Sequence, residues 1–249
     1  MAHKMPTLYG LPMPGLHGST GIPFSTRVLD TQPTHLLAYW PYWEAAGPTA
    51  FDQSGNSYDL TPFTTTWGEA GIGDGNTIAG YDGLVSLSNM YSVGLASALD
   101  FDEGSFLFPF RVANASVWTT PTQRRILRAT VDSTNQMSVY RTTTNNQMLV
   151  SMVRSGISNT ITVNGLTTTN ILLWLVTWSV TANKMILYSS GVKIAETTCS
   201  GAWVGPLHTA KFLFGAYAAA TQIWYGDAGH IAWWKTPLSA EEALNLGAA

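Results

Sequence analysis

A single cysteine, Cys199, stands in 249 residues. It allows no internal disulfide, no cysteine metal cage and no Cys-x-x-Cys redox pair, and is read as a small apolar filler. Charge is equally scarce: Asp, Glu, Lys and Arg make up 11% of the chain, against about 25% in an average protein. With 12 basic and 15 acidic side chains the net charge is −3. No positive field exists to hold a polyanion, which excludes nucleic acid as a non-specific partner. The longest strongly apolar run, residues 171–176, is far too short to span a bilayer. The residues after Met1, Ala-His-Lys-Met-Pro, contain no apolar export segment. On that reading, work outside a cell requires release by lysis, by a specialised machine or as part of a particle. No Gly-x-Ser-x-Gly elbow accompanies His3, His17, His35, His208 or His230, so no nucleophile triad is readable and no catalytic residue is assigned.

What is present favours strands. Hydrophobic residues reach 45%, enough for one sizeable core, and 23 glycines, 12% aromatics and many threonines suit strands and turns. Residues 1–34 hold five prolines, four glycines and only three charges among Leu8, Tyr9, Leu11, Met13, Leu16, Ile22 and Phe24, with neither helical nor strand period sustained. They read as an extended arm that lies on a neighbour, followed by one domain at 35–249. From His35 onward β-type runs recur between turn clusters, among them 35–40, 78–81, 84–87, 105–112, 124–131, 137–142, 148–154, 171–180, 184–189, 192–198, 211–215 and 229–235. That density predicts an all-β, two-sheet antiparallel sandwich, with hairpin turns at 132–135, 143–146, 182–183 and 190–191. One helix is signalled near 237–244, where Ser239 and Glu242 stand at capping-box spacing.

Five segments, in order, resemble the concanavalin A-like, laminin-G-like jelly roll found in bacterial and phage surface proteins. They are Leu36-Leu37-Ala38-Tyr39-Trp40-Pro41 with Ala50-Phe51-Asp52-Gln53-Ser54-Gly55-Asn56; Ala79-Gly80-Tyr81-Asp82-Gly83; residues 173–178 with 185–195; Phe214-Gly215-Ala216; and Gly229 through Glu242. The resemblance covers roughly 35–247 and implies a jelly-roll sandwich with one short C-terminal helix. It also implies a structural Ca²⁺, which needs hard oxygen ligands. Asp52 and Asn56 match the first part of that site, while Gly229-His230 replaces the closing acidic pair and leaves Asp227 as the substitute. The alternative for Asp52 and Asn56 is an Asx-type turn, and no cofactor is required by the rest of the chain.

Other residues carry weaker signals. The Gly-rich stretch 71–77 lacks the lysine and following helix of a phosphate cradle, so Asp74 and Asn76 read as loop residues. Asp100, Asp102 and Glu103 are the sharpest candidates for paired carboxylates, but the Glu-x-Asp-x-x-Glu order of related glucanases is missing. Trp40, Trp174, Trp178 and Trp233 lie in strands and read as core. Trp43, Trp67, Trp118, Trp203, Trp224 and Tyr225 fall in or beside loops, where glycan or subunit contact is the sharper reading and coverage of the sandwich ends the plainer one. Nine acids and no bases lie between Glu44 and Glu103, whereas 111–154 holds six arginines and one acid. They pair either across the sandwich or between neighbouring copies.

The function expected from this is a non-enzymatic structural or interaction protein of an extracellular assembly. An outer, decoration- or fibre-associated protein of a phage virion fits best, a homo-oligomer or partner of other particle proteins anchored through residues 1–34. A lectin-like module for a cell-surface glycan is the alternative, and a glycoside hydrolase the third.

Overall fold

A computed structural model describes residues 22–44, 49–60, 66–72, 74, 77–82, 88–89, 93–207, 212–215 and 222–247. The strands are β1 (Leu36–Trp40), β2 (Thr66–Ala70), β3 (Thr77–Asp82), β4 (Ser88–Asn89), β5 (Glu103–Val112), β6 (Arg124–Thr130), β7 (Gln136–Arg141), β8 (Met148–Arg154), β9 (Ile157–Val163), β10 (Leu172–Ser179), β11 (Lys184–Ser189), β12 (Val192–Thr197), β13 (Phe212–Phe214), β14 (Tyr225–Ala228) and β15 (Ile231–Trp234). Among the described residues four helices accompany them: α1 (Phe24–Asp30), α2 (Val93–Ala98), α3 (Ser116–Thr119) and α4 (Ala240–Gly247). All strand pairings are antiparallel and form two sheets, as expected. The smaller runs β4-β13-β6-β7-β8-β9; the larger runs β12-β11-β10-β5-β14-β3-β2, with β15 also on β5 and β1 on β15.

The two sheets differ in pattern for a physical reason. β8 alternates buried and half-buried residues, as a strand does with one face on the core and one toward water. β1, β10 and β15 are buried almost throughout. Their sheet has apolar cover on both sides: the inter-sheet core holds Trp40, Phe106, Phe108, Trp174, Trp178 and Trp233, while a second cluster joins Leu107, Leu173, Leu175 and Trp234 to Phe24 and Val28 of α1 and Ala243 and Leu246 of α4. The four strand tryptophans are therefore core, as read, and Cys199 is fully buried.

Helix α1 corrects the picture of an extended arm over its seven residues. Phe24 and Val28, one helical turn apart, both face the sheet and are buried, and the Arg27 guanidinium donates to Asn245 O of α4 at 2.7 Å. Gln32 Nε2 donates to Glu242 Oε1 at 2.7 Å. Ile22 is exposed, whereas Leu8, Tyr9, Leu11, Met13 and Leu16 lie outside the described residues, as does the expected strand 84–87. The capping box is present: Ser239 N donates to Glu242 Oε2 (2.7 Å) and Glu242 N to Ser239 Oγ (3.2 Å).

The larger sheet forks. On one side β5 pairs with β14 through Phe110–Val112 and with β15 through Ser105–Leu107. Between them stands Pro109, which has no N–H to give a ladder and is at home where a strand pairing breaks. Its carbonyl accepts Gly229 N (3.2 Å), and His230 N donates to Pro41 O (3.1 Å). His230 turns the chain with φ +50°. A Cβ on Gly229 would lie 2.4 Å from Ile78 Cγ2, so this corner admits only glycine without a shift.

His230 is fully buried beneath Phe24, whose ring meets it edge-on at 5.2 Å. With its proton on Nε2, the imidazole accepts the Tyr39 hydroxyl at Nδ1 (2.7 Å) and turns Nε2–H toward Asp74 Oδ2, 3.3 Å away. The Asp74 contact is Coulombic rather than an aligned hydrogen bond. Burial pushes His230 down from 6.5 to about 4, against the opposing pull of Asp74. The same burial drives the Tyr39 phenol far above its ordinary range.

Two expectations follow from the fork. Gly229→Ala lowers stability by about 1–3 kcal/mol, read as a lower urea midpoint at unchanged slope; an unmoved midpoint would mean that the corner yields freely. Because the folded value of His230 lies below its ordinary one, the unfolded chain binds the extra proton between about pH 4 and 6.5. Stability is then full above that window and falls as pH drops through it, by at most ~1.4 kcal/mol per pH unit. His230→Asn, which tolerates positive φ, flattens the curve there; equal slopes in the two proteins would remove the assignment.

Candidate functional site

Beside the helix-covered part of the larger sheet lies an open cavity of ≈ 510 Å³ whose walls include Thr66, Glu69, Gly80, Arg111, Tyr225 and Asp227. Three neighbouring strands build it. Phe110 and Val112 enter the inter-sheet core, so Arg111 between them points away from the second sheet. Asp227 is its direct partner across the β5–β14 ladder, and Gly80 is the partner of Asp227 on β3. The Arg111 Nε–H donates to Asp227 Oδ2 in a charge-assisted bond.

Thr66 and Glu69 are three residues apart, which in a regular strand would put them on opposite faces. The pairing of β2 with β3 slips between them, Thr66 facing Gly80 and Glu69 facing Ile78. That bulge turns both side chains into the cavity. Gly80 makes room for what converges there: a Cβ at this position would lie 2.9 Å from Glu69 Cγ and 3.2 Å from Asp227 Oδ1. Half-buried Tyr225 forms a wall, with the Arg124 guanidinium 5.5 Å from its ring centre. The site thus offers a guanidinium, two carboxylates, the Thr66 hydroxyl and an aromatic face, all carried on strands.

Only Asp227 and Tyr225 of the residues singled out by sequence meet here. Asp52 organises its own turn instead. Its Oδ1 accepts Tyr39 N and Ser54 N, each at 2.9 Å, and its Oδ2 accepts Tyr58 N and Ser54 Oγ, each at 2.9 Å. Asn56 Nδ2 donates to Leu36 O and Leu37 O at 3.0 Å. A carboxylate filled by four donors does not fit a cation site, and Asp227 is held by Arg111. Among the described residues no three His, Cys, Asp or Glu side chains gather as metal ligands. The Asx-turn reading describes Asp52, which accepts Ser54 N two residues on, whereas Asn56 ties the turn to β1, and the calcium ligand set does not fit.

The loop aromatics also separate. Trp118 and Trp224 are buried to 1% exposure, their indole N–H groups donating to Thr168 O (2.7 Å) and Arg111 O (3.2 Å). Both belong to the inter-sheet core, Trp118 from the one-turn helix α3 and Trp224 from the residue before β14. Trp203 stacks on Phe101 at 3.8 Å and Trp67 on Tyr42 at 6.1 Å; Trp43 is half-buried. The three acids near β5 each have a structural partner. Asp100 accepts Asp102 N, Asp102 pairs with the buried Arg154, and Glu103 accepts Ser179 Oγ. Glu69 and Arg111 carry no signal of a site in the sequence, since neither bulge nor cross-strand register can be read from one strand at a time.

No family model matches the sequence, and no curated relative does. Among the described residues no helix is long and apolar enough to cross a membrane. Solved structures do share the fold. The binding domain of botulinum neurotoxin serotype D is 10% identical with a TM-score of 0.66, over 86% of this chain and 52% of that one. The binding domain of Paraclostridial Mosquitocidal Protein 1 is 11% identical, TM-score 0.66, over 86% and 52%. The binding domain of botulinum neurotoxin DC, solved in complex with rat synaptotagmin II, is 10% identical, TM-score 0.60, over 86% and 51%. The chain spans about half the length of the structures it matches. At these identities the likeness is one of fold: a jelly-roll-like β-sandwich of the kind present in toxin binding domains.

Proposed function

We propose that this domain is a non-enzymatic recognition module that holds a hydroxyl-rich ligand, a cell-surface glycan, in the cavity floored by Gly80. The convergence of Arg111, Asp227, Glu69 and Tyr225 on one open space carries the reading. Sugars are held by fixed donors and acceptors around an apolar stacking face, and the cavity supplies both kinds of group. The matched solved structures are themselves binding domains, which supports recognition as the role. Hydrolysis is less well supported, because the walls are polar and open to water, the opposite of the apolar setting that keeps a catalytic carboxyl protonated.

The same module serves an extracellular assembly, with the outer surface of a phage particle as the favoured setting and residues 1–21 as the anchoring segment. Low charge and the apolar set Leu8, Tyr9, Leu11, Met13 and Leu16 support this, and because helix α1 docks on its own sheet, the proposed anchor is drawn before it.

A glycan array probed with the wild type and with Thr66→Trp tests the first reading. Thr66 is exposed at the cavity wall, so the larger ring obstructs the site without disturbing the core. Bound glycans should lose at least about tenfold in affinity; an empty array, or equal binding by both proteins, would overturn the proposal. For the assembly role, the native mass of the full chain is compared with that of a chain starting at Ile22. The full chain should assemble and the shorter one remain a folded monomer, and equal masses would sink the anchor.

A further inference from the structure

The cavity carries an unbalanced charge. Arg111 is committed to Oδ2 of Asp227, and among the described residues no cation lies against Glu69. The free Oδ1 of Asp227 and the stem of Glu69 both border the space where Gly80 has no side chain. Two carboxylates and one guanidinium therefore line the cavity, an excess of one negative charge among its lining residues; the Arg124 guanidinium, 5.5 Å from the Tyr225 ring centre, lies outside that lining and donates to Ile223 O. An anionic sugar entering here meets like charge, and a neutral one leaves Glu69 without a counter-charge in contact.

We infer that the preferred ligand is an amino sugar with an unacetylated nitrogen, whose ammonium sits between Glu69 and Oδ1 of Asp227. This rests on the glycan reading of the cavity and narrows it. An ammonium brings three donors and no acceptor, which suits two carboxylate acceptors and relieves the excess charge. The remaining lining fits the sugar that carries it. Tyr225 offers a flat face, and Thr66, Thr169 and the outer N–H groups of Arg111 offer partners for ring hydroxyls. A lysine side chain would use none of these. A metal ion suits the site less well, because the guanidinium already occupies one of its carboxylates.

The test compares a β-1,4-linked glucosamine tetramer with its fully N-acetylated counterpart, two ligands of the same backbone, by calorimetry at pH 6. The amine form should bind the wild type at least about tenfold tighter at low salt. The ratio should shrink toward one as salt rises, since exposed charge pairs are screened, and should fall to near one in Glu69→Gln. The salt series needs no variant, so a poorly folded substitution leaves the inference open to refutation. Equal or better binding of the acetylated tetramer, or a ratio that survives both salt and Glu69→Gln, would overturn it. Binding of neutral array glycans that Thr66→Trp abolishes, without an amine preference, defeats this inference and leaves the glycan reading standing. Failure of every glycan defeats both.

Discussion

The fork in the larger sheet, where β5 changes partner at Pro109, is the constraint on which the rest of the architecture depends. A proline in a ten-residue central strand cannot serve a continuous ladder on both sides. The chain meets this by ending β14 and starting β15 across a two-residue corner, Gly229-His230, with Gly229 donating to the Pro109 carbonyl. One branch, β15 and β1, runs beneath the helices and is apolar on both faces. On the other, β14, β3 and β2, Ile78 still packs into the helix-side cluster, and beyond it the outer face opens to water. The cavity occupies that second face, while His230, at the corner itself, fastens β1 to the Asp74 loop through Tyr39.

Scarce charge makes each arginine count. Arg154 and Arg141 are fully buried, and their guanidinium groups are spent mostly on backbone carbonyls. Arg154 donates to Phe101 O and Gly201 O as well as to Asp102, and Arg141 to Trp118 O and Thr122 O. Burying a guanidinium is tolerable when carbonyl or carboxylate oxygens take up its donors. The separation of acids from bases along the sequence thus resolves in part into pairing within the chain: Arg154 of the basic stretch meets Asp102 of the acidic one, while Arg111 takes its partner, Asp227, from outside both.

Much of this fold was legible in the sequence, for definite reasons. Strands with a repeating or an unbroken apolar pattern, such as β6 to β8 and β10 to β12, announce themselves, and the Ser239/Glu242 cap marks α4. What stayed hidden depended on pairing. β9 alternates Ser, Asn and Thr with isoleucine and looks like a loop until β8 is beside it. α1 is too short to show more than one turn of apolar spacing, and its buried face exists only because a sheet lies under it. Trp118 and Trp224 stand in loop-like sequence yet are core. The cavity is the extreme case: its floor is set by a bulge in β2, an absent side chain at Gly80 and a register between β5 and β14.

Helices α1 and α4 lie side by side on the same face, tied by Arg27 to Asn245 and by Gln32 to Glu242. The polypeptide therefore enters and leaves the sandwich at nearly one point. Tension applied between residues 22 and 247 would therefore peel one helix from the other, while the sheets that carry the cavity would stay outside the path of the force.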